Sequence, residues 1–133
     1  MNRGAVTLEQ GSVIGGDRPE DANTATNGGG IYSTDGSVTL ASGSRITGNT
    51  GHTVGGGIYT TGSVVTLESD SRISGNTAGN QGGGGIFAVS SLVFAQSGAL
   101  VCDNSGPQCA YTGIPQGGFW GDCPSPTSGV CPG

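Results

Sequence analysis

Apolar and polar residues alternate in short runs along the chain. In Ser37-Val38-Thr39-Leu40, Val38 and Leu40 share one face and Thr39 takes the other; in Arg45-Ile46-Thr47, Ile46 stands between two polar neighbours. A period of two is the mark of a half-buried strand. Apolar residues at i, i+3, i+4 and i+7 are nowhere sustained, so no helix is predicted. The runs are about four to six residues long, the usual length of a strand, and Gly, Ser, Asn and Asp separate them.

The runs recur. Gly28-Gly29-Gly30-Ile31-Tyr32 returns as Gly55-Gly56-Gly57-Ile58-Tyr59 and as Gly83-Gly84-Gly85-Ile86-Phe87, the second interval longer than the first by one. Val38-Thr39-Leu40 returns as Val65-Thr66-Leu67 and then, at the same interval, as Leu92-Val93-Phe94. Ser44-Arg45-Ile46-Thr47-Gly48-Asn49 returns as Ser71-Arg72-Ile73-Ser74-Gly75-Asn76. Upstream, Ala5-Val6-Thr7-Leu8 and Ser12-Val13-Ile14-Gly15-Gly16-Asp17 match the last two blocks at a longer offset. Downstream, Gly98-Ala99-Leu100-Val101-Cys102-Asp103-Asn104 is a looser copy with one extra residue.

Three strand-like blocks per repeat, without a hairpin turn between each pair, predict one strand per face of a coil. The fold expected is all-β: a right-handed single-stranded parallel β-helix, or β-solenoid. The period is roughly 27 residues, inside the range of solenoid repeats. About four coils span 2–27, 28–54, 55–82 and 83–104, within a repeat region of 1–104; the remainder, 105–133, forms a Cys/Pro-rich cap or tail. The inward set is Ile31, Val38, Leu40 and Ile46, then Ile58, Val65, Leu67 and Ile73, then Ile86, Leu92, Phe94 and Leu100. Asn49, Asn76 and Asn104, with Asp17 near the equivalent place, predict a structural asparagine ladder at one corner, because stacked amides bond along the axis. The Gly triplets allow positive φ and close approach between coils. They lack the GxxxxGK[ST] pattern and a following helix, so they are not phosphate loops.

The pairing of GGGI early in the coil with I-x-G-N near its end resembles the GGA[ILV] and FxxN repeats of the chlamydial polymorphic outer-membrane proteins. Gly replaces Ala at 30, 57 and 85, and Ile or Leu replaces Phe at 46, 73 and 100. The resemblance covers about residues 2–104 and implies a parallel β-helix, adhesion or surface display, and a place in a longer secreted or surface protein. It implies an extracellular or cell-surface location.

Composition narrows the function. Glycine fills 29 of 133 positions, and four arginines against nine acids, with no lysine, give a net charge of −5. That acidic balance lacks the basic patch nucleic-acid binding needs. No apolar run approaches the roughly 20 residues of a membrane-spanning helix.

All four cysteines, Cys102, Cys109, Cys123 and Cys131, lie beyond residue 101, with Phe119 and Trp120. An even count points to two disulfides and an oxidising compartment. Three connectivities are open; Cys102–Cys109 with Cys123–Cys131 closes short local loops. The spacing does not fit the C-x₂₋₄-C of zinc sites. The segment around Phe119-Trp120 is expected to cap the last coil. Met1-Asn2-Arg3-Gly4 leads straight into the first repeat without a secretory leader pattern. The chain therefore reads as a piece of a longer secreted protein or one that has lost its leader. Upstream residues, or another copy, would continue the stack on the first coil.

Catalysis finds little support. Glu68 and Asp70 lie two apart beside Arg72, but one coil earlier stand Ala41 and Gly43, so a surface charge pair is expected. Asp17, Glu20 and Asp21 form a weak calcium candidate without a recognised loop pattern. His52 has no acid or cysteine beside it and no nucleophile to activate. Four coils rise only about 20 Å at about 4.8 Å each, short for a polysaccharide-cleaving groove. No cofactor and no metal are implied.

Two outward stripes remain. Tyr32, Tyr59 and Phe87 would stack as an exposed aromatic ladder able to meet a glycan or a host or cell-surface protein. Thr7, Thr39 and Thr66, with Thr47 and Ser74 on the next face, form ranks like those of ice-binding solenoids, broken by Val93 and flanked by Arg45 and Arg72. The function expected is a non-catalytic structural module for adhesion, surface display or assembly into an extracellular filament or layer. A carbohydrate-binding or polysaccharide-processing protein is the alternative, and an ice-binding protein the distant one.

Overall fold

The computed structural model describes residues 4–16, 18–79, 83–105 and 108–112. The chain is a parallel β-solenoid. Its first rung holds β1 (Ala5–Leu8), β2 (Val13–Gly15) and β3 (Thr24–Asn27). The second holds β4 (Ile31–Thr34), β5 (Ser37–Leu40), β6 (Arg45–Thr47) and β7 (Thr50–Val54), and the third β8 (Ile58–Thr61), β9 (Val64–Leu67), β10 (Arg72–Ser74) and β11 (Thr77–Ala78). The fourth holds β12 (Ile86–Val89), β13 (Leu92–Ala95) and β14 (Leu100–Cys102), and β15 (Cys109–Thr112) begins the next. Like strands pair in parallel, giving sheet A (β1-β5-β9-β13), sheet B (β2-β6-β10-β14) and sheet D (β4-β8-β12-β15) on the three expected faces. A shorter sheet C (β3-β7-β11) lies between B and D. The stack makes about three full turns.

Small side chains suit this geometry because the coil turns sharply four times per rung. Each described residue with positive φ stands at one of those corners. Asp35, Gly62 and Ser90 mark the turn from D to A; Gly11, Gly43, Asp70 and Gly98 that from A to B; Gly15, Gly48, Gly75 and Asp103 that from B to C; and Gly28, Gly55 and Gly83 that from C to D. A left-handed residue costs little for Gly and is tolerated by Asp. At the A-to-B corner the same turn is built four times: the N–H of Ser12, Ser44, Ser71 and Ala99 donates to the carbonyl three positions earlier, at 3.0–3.1 Å.

The core is a set of columns, one residue per rung. Val38, Val65 and Val93 form one, Ile46, Ile73 and Val101 another, and Ile58 and Ile86 a third, all at 0% exposure. Leu40 and Leu67 are likewise buried, with Ile31 at the edge of the third column. In the fourth rung the inward set differs from the expectation. Leu92 pairs with Val64, Phe94 with Thr66 and Leu100 with Arg72, so all three occupy outward positions. Val93, Ala95 and Val101 take the inward places. One residue of register reverses every side chain of a strand. Thr77 on β11 pairs with Thr50, whereas Ile86 on β12 pairs with Ile58, a step longer by one. The extra residue thus enters between β11 and β12, and β13 and β14 carry it; β15 pairs with β12 across a shorter step.

The long first offset has a similar origin. Val6 pairs with Val38 across an unusually long step, yet Thr24 pairs with Thr50 across a normal one. The surplus lies between β2 and β3, where the chain makes a 3-10 turn over Pro19–Asp21.

Candidate functional site

Three columns define the distinctive chemistry of the molecule. The first is the asparagine ladder. The N–H and Nδ2 of Asn49 both donate to Oδ1 of Asn76, at 2.9 and 3.2 Å, and those of Asn76 both donate to Oδ1 of Asn104, at 2.8 and 2.9 Å. Each Nδ2 also donates back to the core carbonyl of the preceding rung: Asn49 to Ile14, Asn76 to Ile46 and Asn104 to Ile73. Buried amides are thus saturated in both directions, which removes the penalty for placing them inside.

Two members of this ladder escape a reading of the I-x-G-N motif. Asn23 donates its N–H and Nδ2 to Oδ1 of Asn49, at 3.1 and 3.0 Å, and takes the first-rung place. The candidate for that place, Asp17, lies outside the described residues. At the other end Gln108 folds back, its Oε1 accepting both donors of Asn104 while its Nε2 returns a bond to the Asn104 carbonyl. The ladder is closed at its C-terminal end, whereas Asn23 is exposed.

The second column is aromatic. Tyr32 and Tyr59 stack with centroids 5.1 Å apart and planes 17° from parallel; Tyr59 and Phe87 follow at 5.8 Å and 7°. Exposure runs from 51% at Tyr32 to 8% at Phe87. Ring faces are spent on one another along the axis, and Tyr32 ends the stack.

The third column shows the same polarity. Val6 belongs to the inward column of Val38, Val65 and Val93, yet it is 37% exposed where those are 0%. Ile14 is half-buried where Val101, three rungs on, is fully buried. The amide and aliphatic columns run out at the first rung and the aromatic column at β4, the next strand along. Strands β1, β2, β3 and β4 are the N-terminal edges of their sheets, as β13, β14, β11 and β15 are the other edges.

Other sequence candidates come to rest elsewhere. Glu20 and Asp21 face Arg18, at 3.5 and 3.0 Å, which satisfies the carboxylates offered for calcium. Arg72 makes no ion pair with Glu68 or Asp70; Asp70 has positive φ, and its Oδ1 lies toward Gly98 of the next turn. The expected charge pair is therefore absent among the described residues. His52 is exposed on β7. The rank Thr7, Thr39, Thr66 is broken by Phe94 rather than Val93, through the same register shift. Cys102 is fully buried at the end of β14, and Cys109 opens β15 opposite Ile86. Cys123, Cys131, Phe119 and Trp120, and with them the expected cap, lie outside the described residues. Among the described residues no helix is long and apolar enough to cross a membrane. Comparison with family models, curated proteins and solved structures returned no match.

Proposed function

We propose that the chain is a non-catalytic structural module of the cell surface or extracellular space, which joins an adhesive or display assembly by adding a β-rung at its N-terminal end. The observation that carries this reading is the joint run-out of the three columns. An exposed sheet edge recruits another strand, and here the edge comes with a half-bare aliphatic core, an exposed amide and an aromatic ring at the end of its stack. The complementary surface is another rung of the same repeat, in a second copy or a longer parent chain. The likeness of GGGI and I-x-G-N to the chlamydial repeats supports surface display. Electron microscopy of native material, with intact mass on the same sample, tests it. Filaments, a layer, or a mass above 12.9 kDa per chain are expected; discrete particles of that mass overturn it.

The same reading places Cys102 and Cys109 in a disulfide. Gln108, joined to Asn104 by three hydrogen bonds, already holds the intervening loop closed. Intact mass before and after alkylation, with and without reductant, checks the pairing.

A carbohydrate-binding role draws on the aromatic column less well. Sugars stack on open ring faces, and this stack ends at Tyr32. A glycan array read with the native chain and with Tyr32→Ala separates the two readings.

A further inference from the structure

We propose that Arg45 and Arg72 form an oxyanion site on the outer face of sheet B, taking a phosphate or sulfate group. The two are direct register partners on β6 and β10, so their backbones lie one rung, about 4.8 Å, apart. Strand alternation sends both side chains outward, because Ile46 and Ile73, the next residues along, are fully buried. The outward column reads Val13, Arg45, Arg72, Leu100. Each cation thus has an aliphatic neighbour on one side and the other cation on the other.

No carboxylate among the described residues closes the pair, since both ion pairs found there belong to Arg18. Asp70, the acid nearest to Arg72 in the chain, has its Oδ1 2.9 Å from where a Cβ of Gly98 would stand, so it aims along the axis at the next turn. Like charges set directly opposite on neighbouring strands repel, and the sequence repeats that arrangement as Ser-Arg-Ile at 44–46 and 71–73. A bound anion relieves the repulsion. Each guanidinium presents a planar fork matched to an oxyanion, and two forks one rung apart converge on a single tetrahedral group. Ser74, half-buried two positions beyond Arg72 on the same face, adds a hydroxyl at the margin. The net charge of −5 opposes long polyanions at a distance, so the ligand is a single group, free or esterified on a glycan, and its binding weakens with salt.

The test titrates the full chain with inorganic phosphate, inorganic sulfate and a monosulfated disaccharide at constant ionic strength, following the arginine Nε–Hε signals by NMR. The signals of Arg45 and Arg72 are expected to move together and saturate while that of Arg18 stays. Arg45→Gln or Arg72→Gln should weaken binding at least tenfold, with melting temperature unchanged or raised. Arg72→Lys, which keeps the charge and loses the fork, should fall between. Tighter binding of the disaccharide than of sulfate assigns the glycan as source; equal binding assigns the free anion. Unsaturable drift of all four arginines, or wild-type binding by the double glutamine variant, overturns the proposal.

Discussion

The N–H and Nδ2 of Asn76 converge on Oδ1 of Asn104, at 2.8 and 2.9 Å, and Oδ1 of Asn76 in turn receives the same two donors from Asn49. Removing that side chain strands donors on one rung and a core carbonyl on another. Asn76→Ala should therefore cost about 2–3 kcal/mol, the range for buried groups left without partners. Asn23→Ala, at the exposed end, should cost well under that. Chemical denaturation of both variants checks the contrast; equal losses would mean the ladder is not what holds the corner.

Thr60 offers the opposite sign. Its side chain is fully buried between Ser33 and Ala88 in sheet D, and its Oγ1 has no hydrogen-bond partner. Thr60→Val replaces the orphan hydroxyl by a methyl of similar size, and stability should rise by about 1 kcal/mol. The comparison is a melting curve against wild type.

The corners separate backbone cost from steric cost. At Gly43, with φ of 74°, an added Cβ would meet nothing nearer than 3.9 Å. Gly43→Ala should cost about 1–2 kcal/mol from the left-handed backbone alone. Asp70 fills the same place one rung on at φ of 63°, so Asp70→Gly should be neutral or mildly stabilising. A loss on Asp70→Gly, read by denaturant titration, would give its carboxylate a role beyond the turn.

Gly57 faces a crowd instead. A Cβ there would stand 2.6 Å from the Gly85 carbonyl, 2.9 Å from Ile73 Cγ2 and 3.1 Å from Asn76 Nδ2. Gly57→Ala should cost about 2–3 kcal/mol through overpacking. A loss below about 1 kcal/mol would show that the rungs relax to accept the added methyl.

Within the aromatic column, Tyr59 has a ring on each side and Tyr32 on one. Tyr59→Ala should cost more than Tyr32→Ala, and a double-mutant cycle should return about 0.5–1.5 kcal/mol of coupling. Zero coupling would mean that the rings lie together without stabilising one another.

Much of this architecture is legible in the sequence, for a local reason. A solenoid pairs each block with its own copy, so the spacing of Ile31, Ile58 and Ile86 already contains the sheet pairing, and the alternation in Val38-Thr39-Leu40 contains the inward face. The recurrence of Asn49, Asn76 and Asn104 likewise places an amide at one corner. Register past the insertion is present too: the lengthened step at Ile86 applies equally to Val93 and Val101, because a chain that has gained one residue stays displaced by one. Similarity of letters at Leu92 and Phe94 masks it.

Other features needed three dimensions. Sheet C carries no apolar alternation, so nothing in Thr50-Gly51-His52-Thr53-Val54 announces a strand; it is held by its neighbours. Asn23 and Gln108 join the ladder from unrelated sequence contexts, since a hydrogen bond depends on where an amide sits and not on the motif around it. The lack of an acid beside Arg45 and Arg72, and the aim of Asp70 away from them, follow from the pleat and from a left-handed turn. Periodicity alone was enough to set the repeat, three of its faces and the core of the second and third coils, because each block meets only copies of itself. Which described member of each column is covered and which is exposed emerged from the folded chain, because that depends on what lies against the last side chain of the column.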